Sequence, residues 1–591
     1  MPKSQSKQPI IKKPKRKAVL IRLWKYVYKY KWMVLVAVVL TVISNLLALV
    51  GPMLSGTAVD AIGTKNGGAD FEKVYFYCLL MIMFYAISSL LSYILSVLMI
   101  KLSRKIVYKM RKDVFESLSG LPVGFFDLHQ AGDIISRISY DIDVVNASLS
   151  NDLLQICTSV ITVMGSLVMM IMLSVELVLV FVVTIPVSML ITKYMTGKVR
   201  PLFKNRSLKL GELNGYTEEI IPGQKVIKAY NQEETFINRF DIKNEEAVEA
   251  YYKADYYGSM TGPSVNFINN LSLTLISIFG AILYLFNHLT LGNLSAFVLY
   301  SRKFSGPINE TANIISELQS AMAAAERVFR LIDEPAEIED IKDALELIDV
   351  KGDVEMKNVV FGYDPNKIII NNLNLEAQRG SVVAIVGSTG SGKTTIINLL
   401  MRFYDPQSGV VNLDGYDIKT LTRKSLRLSY AMVLQDTWLF GGSIFDNISY
   451  GKPDATMEDV IKVAKAAKIH SYIETLPDGY NTILNEEGIN ISQGQKQLMT
   501  IARAMLLDAK ALILDEATSN VDMRTEVVIQ KAMQKLMCGK TCFVIAHRLS
   551  TIQNADVILV VDKGMILEQG THDELIKRDG FYSRLYRSGH E

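Results

Sequence analysis

Cysteine is scarce in this chain. Of 591 residues only four are cysteine, at Cys78, Cys157, Cys538 and Cys542, and their wide, uneven placement excludes a disulfide framework of the kind that staples small secreted domains. Cys538 and Cys542 have no histidine near them in sequence, so no zinc site is expected there. Acidic residues are missing from the start: none precedes Asp60, whereas eleven Lys or Arg residues lie between Lys3 and Lys31. The overall net charge is nonetheless only +3, which gives no reason to expect a nucleic-acid partner. The basic arm runs straight into an apolar stretch, a placement that fits the positive-inside rule and contact with anionic lipid. That stretch, Met33 to Val50, is too long for the apolar region of a signal peptide and lacks a small-residue cleavage pattern, so a cleaved leader is not expected.

The apolar residues gather unevenly. Residues 33 to about 313 carry most of the long apolar runs, whereas residues 350 to 591 mix short β-branched runs with charged helical stretches, as a soluble α/β domain does. The expected organisation is a basic arm over 1–32, an all-α transmembrane domain over 33–325, a linker over 326–350 and an α/β nucleotide-binding domain over 351–591. A hydrocarbon core about 30 Å thick needs roughly 20 apolar residues in a helix. Six stretches qualify: Met33 to Ala58, Val74 to Ile100, Leu153 to Leu173, Leu177 to Met195, Phe267 to Phe286 and Leu294 to Ile314. The two long connections, 101–152 and 196–266, must share one side, and they carry Lys101, Arg104, Lys105, Lys198, Arg200 and Lys204. They and the N-terminus are therefore expected in the cytoplasm, with the helices crossing the cell membrane. Arg302 and Lys303 fall inside the sixth stretch, with Glu310 beyond them. A charge at that depth is costly and by default suggests function; the pair either lines a substrate cavity, or pairs with Glu310, or supports packing.

Gly387 to Thr394 reads GSTGSGKT, the spacing G-x-x-x-x-G-K-[ST]. Such a loop, here Gly387, Ser388, Thr389, Gly390, Ser391 and Gly392, closes backbone N–H groups around phosphate oxygens, Lys393 reaches the terminal phosphates, and Thr394 can ligate Mg²⁺. Thr395 follows in the same turn. A short apolar strand, Val382 to Val386, leads in and a helical pattern leads out, the context the motif requires. ATP and Mg²⁺ are the expected cofactors.

Behind that loop, Ile491 to Asp522 reads ISQGQKQLMTIARAMLLDAKALILDEATSNVD. An S-x-G-Q loop ahead of an apolar run ending in Asp515 and Glu516 resembles the signature and Walker B elements of ABC ATPases. The likeness extends from about Lys31 to Tyr586, to an ABC half-transporter of the exporter type. It implies that Tyr363 stacks on adenine and that Gln435, in VLQD, offers its amide oxygen to Mg²⁺ or the attacking water. Asp515 would hold Mg²⁺, Glu516 would act as general base, and His547, in VIAHR, would contact the γ-phosphate. Ser519 to Asp522 match the D-loop. The other five histidines read as surface or packing residues.

In the membrane half, Phe125-Phe126-Asp127, Gly132-Asp133 and Ser136-Arg137 resemble the first intracellular loop of such exporters, and Leu213 to Gly215, Glu218-Glu219 and Gly223 the second. The short coupling helices are expected near Ser139 to Val145 and Tyr216 to Lys225. In ABC dimers the signature loop closes over the partner's phosphate loop, so a second subunit is implied. Here that loop is Ile491, Ser492, Gln493, Gly494 and Gln495, with glutamine where a glycine is usual. Beside an intact Glu516, this looks most like the catalytically complete subunit of bacterial heterodimeric multidrug exporters; a homodimer stays open. The implied function is ATP-driven export of hydrophobic or amphipathic compounds by alternating access, in which ATP acts through its differential affinity for the closed state. Rival readings are an ATP-gated channel of the same fold and a soluble ATPase acting on nucleic acid, the latter opposed by the spanning-length stretches.

Overall fold

The computed structural model of the chain describes residues 16–62, 69–364, 366–435, 437–484, 491–515, 523–545 and 552–588. Contacts divide the chain into two compact units, Met1–Ser119 with Ala131–Glu334, and Gly120–Gln130 with Pro335–Glu591.

Among its described residues the first unit is helical apart from short turns. Its elements are α1 (Arg16–Tyr28), α2 (Lys31–Ile62), α3 (Phe71–Ser119), α5 (Ala131–Ser136), α6 (Ile142–Ala147), α7 (Leu153–Leu173), α8 (Val175–Ala229), α9 (Glu233–Ser259), α10 (Thr261–Leu285) and α11 (Leu291–Ile332); α4 (Val123–Leu128) falls in the second unit. Five of the six expected spans lie within one of these helices and the other, Phe267 to Phe286, overruns α10 by one residue; among the described residues five helical stretches are long and apolar enough to cross a membrane, and α11 is not among them. Helices dominate because backbone groups in hydrocarbon must be satisfied within their own segment. Facing side chains from α2, α7, α8, α10 and α11 form one core around Leu49, Met170, Phe181, Ile276, Phe297 and Tyr300.

Polar contacts fix the ends of α11. Asp60, near the end of α2, accepts from the Gly292 N–H at 2.7 Å and from the Thr290 hydroxyl at 2.8 Å, so its carboxylate caps a helix N-terminus where negative charge is favoured. At the other end Arg327 donates two hydrogen bonds, at 2.8 and 2.5 Å, to the buried Asp141. Asp141 closes a π-helical turn, Arg137–Asp141, a local widening that is often found at functional positions.

The long connections are helical over most of their length, and the short helices do not fall where coupling helices were expected. Ser139 to Val145 spans the π-turn and α6 inside the first unit. The short helix that belongs to the second unit is α4, which lies earlier in the chain and begins behind Pro122. Proline removes a backbone donor and disfavours helix in the residue before it, which starts α4 apart from α3. Tyr216 to Lys225 forms no separate helix; α8 continues through it to Ala229, and the chain turns at Tyr230–Gln232 before α9.

The second unit holds two main sheets. A four-stranded antiparallel sheet has the order β2 (Ile370–Ala377), β1 (Val354–Phe361), β4 (Ser408–Leu413), β5 (Tyr416–Asp417). A six-stranded sheet has the order β12 (Met565–Gly570), β11 (Val557–Asp562), β3 (Val382–Val386), β10 (Thr541–Ile545), β9 (Ala511–Asp515), β6 (Tyr430–Val433). Strands β3, β6, β9, β10 and β11 run parallel and are almost wholly buried, hence their continuous Val, Ile and Leu runs. Helix α12 (Lys393–Leu400) follows β3; α13 (Arg423–Leu428), α14 (Ile444–Ser449), α15 (Met457–Ala466), α16 (His470–Glu474), α17 (Gln493–Leu507) and α18 (Met523–Met537) come next, and two short helices, His572–Lys577 and Phe581–Ser588, follow β12.

Candidate nucleotide-binding site

The register of the parallel sheet brings the motifs together. Ile385 pairs with Ile545, and Ile545 with Asp515, so β3, β9 and β10 end level with one another. Val433 of β6 pairs with Leu514, one residue short of that edge, and Gln435 follows two residues on. The phosphate loop, Asp515 and Gln435 thus leave the sheet at its carboxyl edge, where ligands bind in open α/β sheets. Glu516, Ser519, Asp522 and His547 lie outside the described residues; the strands leading toward Glu516 and His547, β9 and β10, end at that same edge.

The loop itself is shaped for an anion. A Cβ on Gly387 would sit 2.0 Å from the Val561 carbonyl oxygen, so only glycine lets the chain pass. Gly392, at φ +109°, turns the backbone directly into α12, aiming the first N–H groups of that helix toward the loop. Lys393 is buried and donates to the carbonyls of Gly387 and Ser388 at 2.9 and 3.0 Å; the ammonium is held over the loop, where it would meet phosphate oxygens. The Ser391 hydroxyl is buried without a hydrogen-bond partner, the kind of polar group a bound phosphate would satisfy. Thr394 and Gln435 are exposed and would offer oxygens to Mg²⁺. These residues fit a magnesium nucleotide.

Tyr363 presents a half-exposed ring. Its hydroxyl donates to Thr395 at 3.3 Å and accepts from the Asn398 amide at 2.9 Å, so the ring is tied to α12 while an outer face stays open for a base. Asn398 had no signal in the motif. Tyr404 packs edge-on against Tyr363 with ring centroids 4.9 Å apart.

The signature residues start α17. Ser492 is its N-cap: the Ser492 hydroxyl accepts from the Gln495 N–H at 3.3 Å, and the Gln495 side chain accepts from the Ser492 N–H at 2.9 Å. This reciprocal capping box explains Ser and Gln at this spacing before any ligand is considered. Gly494 is buried. Gln493, the departure from the usual glycine, donates from its amide to the Thr437 hydroxyl at 3.1 Å. The side chain therefore ties the signature turn to the segment just after Gln435, a contact that has no signal in the order of residues.

In the first unit, Arg302 and Lys303 have different surroundings. Arg302 is exposed. Lys303 donates to the Ala48 carbonyl oxygen at 2.7 Å, and Tyr300 donates to the next carbonyl, Leu49, at 2.5 Å. The reason lies in α2: Pro52 sits inside the helix and has no N–H, so the carbonyl four residues back, Ala48, loses its helical donor. The Lys303 ammonium replaces it. The Glu310 side chain lies outside the described residues.

Comparison with known proteins agrees with this layout. The family described as the ABC transporter transmembrane region matches residues 34–308, and the family described as ABC transporter matches residues 370–519. An uncharacterised ABC transporter ATP-binding protein of Bacillus subtilis, YfiC, is 42% identical over 97% of this chain and 95% of its own length. A fatty acid ABC transporter ATP-binding/permease protein of Mycobacterium bovis is 41% identical over 91% of this chain and 84% of its own. The solved structure of a bacterial Atm1-family ABC exporter with ATP bound superimposes with a TM-score of 0.76 at 28% identity, covering 94% of this chain and 98% of that one. The chain therefore belongs to the ABC transporters: it is an exporter-type, multi-pass membrane protein in which a helical transmembrane domain is fused to an ATPase domain and ATP hydrolysis is coupled to transport.

Proposed function

We propose that this chain is one subunit of a dimeric exporter that moves lipid-like or amphipathic compounds out of the cell, and that its partner is a different ABC half-transporter. The observation that carries the unequal pairing is Gln493: it replaces a small residue in the loop lent to the partner's phosphate site, and its side chain is engaged with Thr437 of its own chain. The substrate class draws on relatives, among them the fatty acid transporter above and an ATP-dependent lipid A-core flippase of Vibrio vulnificus, 33% identical over 96% of this chain.

When bound, ATP supplies the γ-phosphoryl group whose transfer to water resets the cycle. Lys393 and the loop N–H groups would orient that group, Thr394, Gln435 and Asp515 would hold Mg²⁺, which would neutralise charge on the phosphates, and Glu516 would take the proton of the attacking water. His547 steadies the γ-phosphate and Tyr363 holds the base. The N-terminus and the ATPase domain stand in the cytoplasm, and Lys303 supports the helix pair rather than binding substrate. Purification of a tagged chain from its native membrane tests the pairing. Recovery with a second half-transporter that carries an intact signature and lacks the catalytic glutamate is the expected result; an active dimer of this chain alone would refute it. In inside-out vesicles of the purified pair, ATP-dependent uptake of a fluorescent fatty acid is expected, and no uptake of that probe would remove the lipid-like assignment.

A further inference from the structure

Helix α4 belongs to the ATPase unit although it is flanked by α3 and α5 of the helical unit. Two contacts set it there. The Gly120 carbonyl accepts from the Glu337 N–H at 2.8 Å, and Asp127 accepts from the Tyr404 hydroxyl at 2.5 Å. Gly124 lies directly against the Tyr404 ring, where a Cβ would come within 2.9 Å of a ring carbon. Tyr404 in turn packs edge-on against Tyr363, at an interplanar angle of 83°, and Phe361 closes the same aromatic cluster, 5.1 Å from Tyr363 and 5.6 Å from Tyr404 between ring centroids. Edge-to-face pairs at these separations have a preferred geometry, so displacing one ring costs energy at the next.

We propose that Tyr404 is a positioning residue that reports the presence of the nucleotide base to the first coupling segment, through the contacts Tyr363 to Tyr404 and Tyr404 to Asp127. A base stacked on the open face of Tyr363 confines that ring. The confined ring fixes Tyr404, whose hydroxyl holds Asp127 on α4, and α4 is covalently continuous with α3 and α5 on either side. The residues of the route, Tyr363, Tyr404 and Asp127, lie outside Gly387 to Thr394, although the Tyr363 hydroxyl is also tied to α12; the segment is therefore expected to respond more to a complete nucleotide than to its phosphates alone. Burial, the hydrogen bond to Asp127 and the Asp127 charge keep the Tyr404 phenol protonated far above the physiological range, so the donor is always available. The inference rests on reading Tyr363 as the adenine platform.

A chain of contacts becomes a coupling only when it is measured as one. Leu128, at the end of α4, is 85% exposed, and alkylation of L128C in the full dimer in nanodiscs, followed by peptide mass spectrometry, reads the segment directly. We expect magnesium AMP-PNP to slow alkylation at least about fivefold relative to tripolyphosphate, the lower end of ordinary coupling between sites. Y404F and D127A should each erase the difference and the double variant should add nothing, while D127N, which keeps an accepting amide oxygen, should retain it. Affinity for a fluorescent mant-ATP should stay within about twofold in Y404F, because the stacking ring is untouched. Equal rates with the two ligands in the parent protein, or a full difference surviving in Y404F, would overturn the proposal. Y363A separates the underlying reading: unchanged mant-ATP affinity there would sink the adenine platform itself, whatever Tyr404 does.

Discussion

Lys303 offers a quantitative test because its partner exists only on account of a proline. In α2, Pro52 deprives the Ala48 carbonyl of its helical donor, and the Lys303 ammonium supplies one at 2.7 Å. Lys303→Met leaves that acceptor unpaired inside the helix bundle. An orphaned buried acceptor costs about 1–3 kcal/mol, and interhelical hydrogen bonds in membranes measure about 0.6 and at most about 1.7 kcal/mol. Removing a half-buried charge gives some of this back, so a loss of about 1 kcal/mol is expected. In a Pro52→Ala background the helix regains the missing N–H, and Lys303→Met should then cost about nothing. The double-mutant cycle, read by equilibrium unfolding in mixed micelles, should show a coupling of about 1 kcal/mol, above the roughly 0.3–0.5 kcal/mol within which independent sites add. Equal costs in both backgrounds would refute the reasoning. Loss of transport with unchanged stability in Lys303→Met would instead place the side chain in contact with substrate.

Other consequences can be checked separately. Glu516→Gln in this subunit should leave mant-ATP binding intact and lower steady-state ATPase by about 10²–10⁴-fold, the range a positioned general base supplies; ordinary turnover would remove the assignment. Tyr363→Ala should weaken nucleotide binding by about 1–3 kcal/mol, the usual worth of base–aromatic stacking, read as a rise in Kd with little change in kcat at saturation. Arg327→Met should destabilise the helical unit more than Arg327→Met combined with Asp141→Leu, because the single change strands a buried carboxylate; a thermal denaturation series in nanodiscs shows which order holds. The carboxylates of Asp446 and Asp459 are held below their ordinary value of 3.8 by hydrogen bonds in the capping boxes of α14 and α15. Depressed folded-state values mean stability that is present above about pH 4 and lost as pH falls through the folded values. Amide protection of α14 and α15, corrected for intrinsic exchange, should therefore fall on acidification below that point, and Ser443→Ala should blunt the fall in α14.

Much of the architecture is legible in the residues. Apolar runs of spanning length become helices because lipid leaves the backbone no other partner, and GSTGSGKT behind a short apolar strand fixes both a strand and the turn after it. The signature reads less directly: Ser492 and Gln495 recur at their spacing for a helix cap as well as for any ligand, and only coordinates separate the two uses. The bounds of the short helices differ from the sequence expectation for a related reason. Helical periodicity in the first connection holds only up to Gly120, and beyond it the apolar pattern does not say which short segment forms a helix of its own; Pro122 was the available signal.

What the sequence alone determines here is everything that depends on local spacing: the spans, the phosphate loop, the strand ending in Asp515, the family and so the coupling of hydrolysis to transport. What the tertiary structure decides is where each polar side chain finds its partner. Lys303 reaches a carbonyl freed by Pro52, Gln493 reaches Thr437, and Tyr404 joins Tyr363 to Asp127. Each of those pairs is distant in sequence, and a hydrogen bond or ring contact forms only when packing brings both groups within a few ångströms in the right orientation. Spacing along the chain carries no record of that geometry.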